Sequence, residues 1–241
     1  MMRRRGVLGL LSTLSCALTL GGCGWLRGDA EVRYRVTVVV DDNGTTRSGS
    51  SVWSRTLKKP SVALVSAYDG EFQGEAVVVD LAGGRTLFAI LRGADGNSGM
   101  AELLPERLFG DTGRVARGEP RKFAPDRIAD LRDIASREGE TATLDCTEYP
   151  DWCPMLVTFG DLSNPASVER VEPGNLAAHF GTGVRLRGIT VEVTDDAVTS
   201  GIEERLGWLP NVYDMLRGTN FQPEGIPVGD FKGLFSTELA T

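Results

Sequence analysis

The sequence predicts an α+β fold: a mostly antiparallel β-sheet with one clear helix and a wrapping C-terminal segment. Three observations carry this. Residues 31–41 alternate apolar and polar and run into Asn43-Gly44, the signature of a β-hairpin. Short turns, not long crossovers, separate the strand-like runs that follow, which favours antiparallel neighbours. Only residues 125–138 combine a helical apolar period with matched start and stop signals.

Taken in order, Val32, Tyr34, Val36, Val38 and Val40 line one face of the first strand, with Arg33, Arg35 and Thr37 opposite. The chain returns through residues 45–57, where Ser48-Gly49-Ser50-Ser51 marks a bulge or a close backbone contact. Residues 61–67, 72–81 and 85–91 are rich in Val, Phe and Ile and are separated by Asp69-Gly70 and Gly83-Gly84. A loop over residues 93–99 leads to a short helix interrupted or restarted at Pro105. Residues 110–122 lack periodicity, which predicts an exposed loop.

The helix over 125–138 has Pro125 at its first position, Phe123 and Ile128 as a hydrophobic staple, and Gly139 beyond its end. Ile128, Leu131, Ile134 and Ala135 share its apolar face, and Asp133 pairs with Arg137 at i, i+4. Strands resume at 140–146 and 154–159, and a helical turn is expected over 175–180. Residues 184–194 alternate again, with an ambiguous register around Gly188. The remainder is rich in Pro and Gly yet keeps Trp208, Tyr213, Phe221, Phe231 and Phe235, too aromatic a tail for disorder.

The N-terminus gives the chain its address. Arg3-Arg4-Arg5 precedes an uncharged run over residues 6–22, and Leu20-Gly21-Gly22-Cys23 closes it. A positive n-region, an apolar h-region and a small-residue exit describe a secretory signal. Leu20-Gly21-Gly22-Cys23 resembles the lipobox of bacterial membrane lipoproteins. The resemblance implies a signal peptide over 1–22, cleavage before Cys23 and acylation of Cys23, palmitate being one such chain. Two or more acyl chains suffice for stable anchoring without a spanning helix. Gly24 stands where that class uses Asp for inner-membrane retention, which implies the periplasmic side of the outer membrane rather than the inner one. The expected organisation is then a lipidated tether over 23–30 and a single periplasmic domain over 31–241. The hairpin around residues 47–52 and the stretch 183–210 also resemble bacterial envelope proteins that bring no known activity.

Loss of residues 1–22 removes three arginines and no acid, taking the net charge from −7 to −10. An acidic mature chain is a poor partner for nucleic acid. Of the four cysteines, Cys16 falls in the signal and Cys23 takes the lipid. Cys146 and Cys153 remain, and in an oxidising periplasm so close a pair is expected to form a disulfide. The alternative, a redox or metal pair, lacks the C-x-x-C spacing and a second Cys/His pair.

The chemistry is sparse. Asp95-Gly96-Asn97-Ser98-Gly99 is similar to the Gly-Asp-Ser-Gly around the nucleophile of chymotrypsin-like proteases, and Ala177-Ala178-His179 is similar to their histidine segment. That likeness implies Ser98 as nucleophile and His179 as base of a periplasmic hydrolase. Asn97 and Met100 depart from the pattern, and His179 follows the serine where that family places it before. Asp41-Asp42-Asn43-Gly44 fits a turn better than a calcium loop, and one histidine leaves no zinc set. No metal or other cofactor is expected. Arg107, Arg114, Arg117, Arg121 and Lys122, against Asp111 and Glu119, form a candidate anion-binding loop. The expected function is a non-catalytic binding or structural module of the envelope. Its partners are the membrane, through the lipid, and another envelope protein or polymer. The hydrolase using Ser98 and His179 is the alternative.

Overall fold

The computed structural model describes residues 28–59, 68–122 and 126–239. The expected signal peptide, Cys23, the expected strand over 61–67, Phe123 and Pro125 lie outside the described residues. Among them the fold is α+β, with nine antiparallel strands: β1 (Ala30–Asp42), β2 (Thr45–Lys58), β3 (Asp69–Gln73), β4 (Val77–Asp80), β5 (Thr86–Gly93), β6 (Thr141–Thr143), β7 (Pro154–Phe159), β8 (Val168–Val171) and β9 (Val184–Val193). They make two sheets, where the sequence predicts one. The order is β3-β2-β1-β9-β6 in one and β4-β5-β7-β8 in the other. The helices are α1 (Met100–Leu108), α2 (Asp111–Ala116), α3 (Arg127–Ala135), α4 (Ala177–Phe180) and α5 (Val212–Leu216). No helix of the described residues is long and apolar enough to cross a membrane.

The first hairpin forms as its residues require. Asn43 and Gly44 take φ of 53° and 84°, the two positive values of a type I′ turn. Val32, Tyr34, Val36, Val38 and Val40 are all buried. They share one core with Val77, Val79, Leu87 and Ala89 of the second sheet and with Met100, Leu104, Ile128 and Leu131 of the helices. Gly49 is the close contact expected of it, and no bulge interrupts the β1–β2 register there. A Cβ at Gly49 would overlap the Val78 carbonyl oxygen, so only glycine lets β2 cross β4 at this depth. Asp42 ties the sheets at their far end: its carboxylate accepts from the Ala82 amide at 2.6 Å, the main cause holding its pKa below the usual aspartate range.

The expected single strand over 72–81 is in fact two. The chain leaves the first sheet after Gln73 and enters the second at Val77. Gly74 and Glu75 make the switch. The Glu75 carbonyl accepts from Trp53 Nε1 at 2.7 Å, and its carboxylate reaches the tail. There it accepts from the Ile202 amide at 2.9 Å and the Ser236 hydroxyl at 3.2 Å. Backbone bonds from Ala76 to Phe235 (2.8 Å) and from Thr237 to Gly74 (3.1 Å) complete the clasp.

That clasp holds the wrapping tail, residues 195–239. Leu87, Ala89 and Leu91 of β5 face the first core, while Phe88 and Ile90 face a second one. In the second core they meet Met155 and Val157 of β7 and the tail's Leu206, Trp208, Leu209, Phe231 and Phe235. The second sheet is thus covered on both faces, which explains the unbroken apolar run in β5.

Burial pushes the Glu75 carboxyl up from its ordinary value, against the pull of its hydrogen bonds. A raised carboxyl binds its proton more tightly in the folded state. Its contribution is therefore fully present below the unfolded value of about 4.3 and is lost as pH rises through the folded value. Urea midpoints measured from about pH 4 to about pH 7 should fall for the native chain relative to Glu75→Gln. Parallel profiles for the two proteins would refute the assignment.

The helices depart from expectation in two places. Residues 110–116 are not an open loop, because α2 lies there: Asp111 N–H donates to both oxygens of the buried Asp130 carboxylate on α3, at 3.1 and 3.0 Å. Helix α3 starts at Arg127 and ends at Ala135, inside the expected 125–138. Its cap is Asp126, whose Oδ1 accepts from the Ile128 and Ala129 amides at 3.1 Å. It ends early because Gly139 (φ 80°) already donates its N–H to Val193 of β9. Helix α1 runs through Pro105 without a break. The proline removes the amide that would bond Ala101, and the buried Tyr34 hydroxyl donates to that carbonyl instead.

Candidate functional site

The disulfide joins Cys146 to Cys153, with Cα atoms 5.6 Å apart. Its position shapes the surface around it. Cys153 immediately precedes β7 in the second sheet, whereas Cys146 follows β6 in the first. The bridge therefore draws the chain off the first sheet just beyond Leu144. A cleft of about 780 Å³ opens between the sheets at that point. Its walls are the disulfide loop (Cys146, Thr147, Pro150), the β9 segment from Leu186 to Ile189, and the end of β8 with the turn after it (Arg170, Glu172, Pro173, Gly174). This volume lies within the range of ordinary ligand pockets.

Five charged side chains border the cleft. Asp95 Oδ1 accepts the Asn97 amide at 2.8 Å, and Asp145 Oδ1 accepts the Thr147 and Glu148 amides at 2.9 and 3.0 Å. Both acids are turned onto their own loops. Arg170 pairs through Nε with Glu172 at 3.1 Å. Among the described residues Arg187 makes one long hydrogen bond, 3.4 Å to Thr46 Oγ1. Arg170 and Glu172 also border a second cleft, of about 510 Å³, with Glu169, His179 and Glu224.

Of the described candidate site residues named from the sequence, only Cys146 and Cys153 line the first cleft. His179 on α4 points Nδ1 at Glu169 Oε2, 3.1 Å away. Ser98 stands in the turn before α1, borders neither cleft and shares no hydrogen bond with His179. The arginine loop finds anions of its own: Arg114 and Arg117 converge on Glu119 at 3.4 and 3.0 Å. Arg107 lies apart, 3.8 Å from Asp151 and over the Trp152 ring. Lys122 pairs with Asp133, and Arg121 is exposed. Among the described residues no cluster of His, Cys, Asp or Glu is arranged to hold a metal. Trp208, Phe231 and Phe235 lie inside the second core, and the exposed aromatic of the tail is Tyr213.

Arg170 and Arg187 escape sequence reasoning for different reasons. The strand that carries Arg170, Val-Glu-Arg-Val, is too short to announce itself. Arg187 had a signal, the ambiguous register at Gly188. The structure resolves that ambiguity as a β-bulge: Gly188 pairs with Val39 and Leu186 with Val40, which leaves Arg187 as the extra residue.

The bridge itself is directly testable. The double variant Cys146→Ser, Cys153→Ser should lose roughly 2–3 kcal/mol in the chain-entropy account of so short a loop. Chemical denaturation measures it, and an unchanged midpoint would show that the loop is held without the bridge.

No protein-family model matches the chain, and no curated protein or solved structure matches it either.

Proposed function

We propose that the chain is a non-catalytic lipoprotein of the bacterial envelope, anchored through Cys23, whose inter-sheet cleft binds another envelope component. The cleft carries this reading. It has a partly apolar floor of Leu144, Leu186 and Ile189 and a charged rim, as binding sites do, while neither Ser98 nor His179 lines it and the His179 Nδ1 faces Glu169. The start of β1 and the cleft are also well separated. The cleft-lining residues of β9 pair with Val38, Val39 and Val40, so roughly 30 Å of β1 lie between them and Ala30. A membrane tether upstream of Ala30 leaves that end free to meet a partner.

Two measurements test the reading. Labelled palmitate should enter the native chain and not Cys23→Ser, and uptake by the variant would remove the anchor from the proposal. A photo-crosslinker in place of Thr147, on the cleft wall, should trap a specific envelope component in cells. Hydrolase activity abolished by Ser98→Ala would favour the enzyme instead.

A further inference from the structure

The first sheet is left unfinished on one side. β9 pairs with β1 along its whole length. Its other neighbour, β6, pairs with Thr190, Val191 and Glu192; backbone bonds of Gly139 and Glu140 with Val193 extend the contact at one end, and the Leu144 amide, 2.9 Å from the Ile189 carbonyl, ends it at the other. Beyond that point residues 184–188 have β1 on one side and no strand on the other, among the described residues. The disulfide is the cause, because it draws the chain after Leu144 across to the second sheet. At Leu186, Arg187 and Gly188 the half-edge therefore borders the cleft. It forms one wall of the cleft, with the disulfide loop as the other.

We propose that this slot takes an extended segment of a partner protein, added as a further strand to β9 and carrying an acidic side chain opposite Arg187. An unpaired strand edge offers main-chain hydrogen bonds to such a segment, and the cleft adds side-chain selectivity. The charge follows from which cleft cation already has a carboxylate beside it. Asp95 and Asp145 are turned onto their own backbones, and Arg170 is paired with Glu172. Arg187, re-aimed by the bulge, is the cleft cation with no carboxylate partner among the described residues. A second copy of this chain is a poor occupant. Antiparallel pairing of two β9 edges centred on Leu186 sets Arg185 opposite Arg187, and like charges facing each other across strands are destabilising. A bulge and arginines also serve to guard solvent-facing edges, and the test separates guarding from use.

This inference rests on the binding reading above. The probes are two labelled nine-residue peptides of alternating Thr and Val, one with a central Glu and one with a central Lys, added to the full-length chain in detergent. The Glu peptide should bind roughly tenfold tighter than the Lys peptide. Its binding should shift the backbone amide signals of residues 185–189. Arg187→Glu should invert the preference and Arg187→Lys should keep it. Binding of neither peptide, equal binding of both, indifference to Arg187→Glu, or amide shifts confined to the β3 or β8 edge would each overturn the slot. Photo-crosslinkers at position 187 and, separately, at Tyr213 keep the two readings distinct. Products from position 213 alone retain the binding function and remove the slot, and products from neither remove both.

Discussion

Trp53→Ala is expected to destabilise the chain by about 3–5 kcal/mol, the cost typical of emptying a large aromatic site in a packed core. Trp53 is fully buried on β2, and its ring stands edge-on to Tyr34 and Phe72, with both centroids 5.9 Å away. Its Nε1 donates to the Glu75 carbonyl at 2.7 Å and to Ser51 Oγ at 3.1 Å. Truncation thus leaves a cavity and a buried carbonyl without its donor, and the two costs add. The ring also fills the space above Gly74, where a Cβ would meet its Cδ1. At about 2–4 °C per kcal/mol for a chain of this size, the melting temperature should fall by roughly 6–20 °C. Trp53→Phe should recover part of the loss, since it restores volume without the donor. A fall of less than about 2 °C for Trp53→Ala would mean that the crossover at Gly74 and Glu75 is held by other contacts.

Trp53 also shows where the sequence stops being legible. The Asn43-Gly44 hairpin, β7 over residues 154–159, the body of α3 and the Cys146–Cys153 bridge all rest on local signals: turn chemistry, periodicity, a capping neighbourhood and cysteine spacing. The break after Gln73 was missed because residues 72–81 read as one Val- and Phe-containing run between the turns at Asp69-Gly70 and Gly83-Gly84. What divides them is a tryptophan 22 residues before Glu75 and a tail more than a hundred residues after it, both converging on that residue. Helix α2 was hidden for a similar reason. Its sequence, Asp-Thr-Gly-Arg-Val-Ala, has weak intrinsic helicity, and the Asp130 carboxylate that accepts its first amide belongs to another helix. The open half of β9 was illegible as well, since an edge is defined by the neighbour it lacks. Only the bulge that re-aims Arg187 left a trace.

Phe235→Ala should cost a comparable 3–5 kcal/mol or so, and its main interest lies in where the loss appears. Phe235 is fully buried in the second core, with Phe88, Phe159, Trp208 and Phe231 around it at centroid distances of 6.0, 5.8, 6.1 and 5.5 Å. Its backbone is part of the clasp, accepting from the Ala76 amide and thereby joining tail to crossover. The second sheet gives one face to each core, so loosening the tail uncovers β5 and β7 while their other face still packs on β1. If residues 31–241 are one folding unit, the variant unfolds in a single transition, and calorimetric and van't Hoff enthalpies stay equal while the midpoint drops. The effect should also add to that of Glu75→Gln by less than the sum of the two, because both act through the same clasp. A split into two transitions, with only the lower one shifted by Phe235→Ala, would make the tail and the outer face of the second sheet a unit of their own. In that case the first sheet, with its cleft edge and Arg187, would stand when the tail is released, and peptide binding to β9 would survive the first transition.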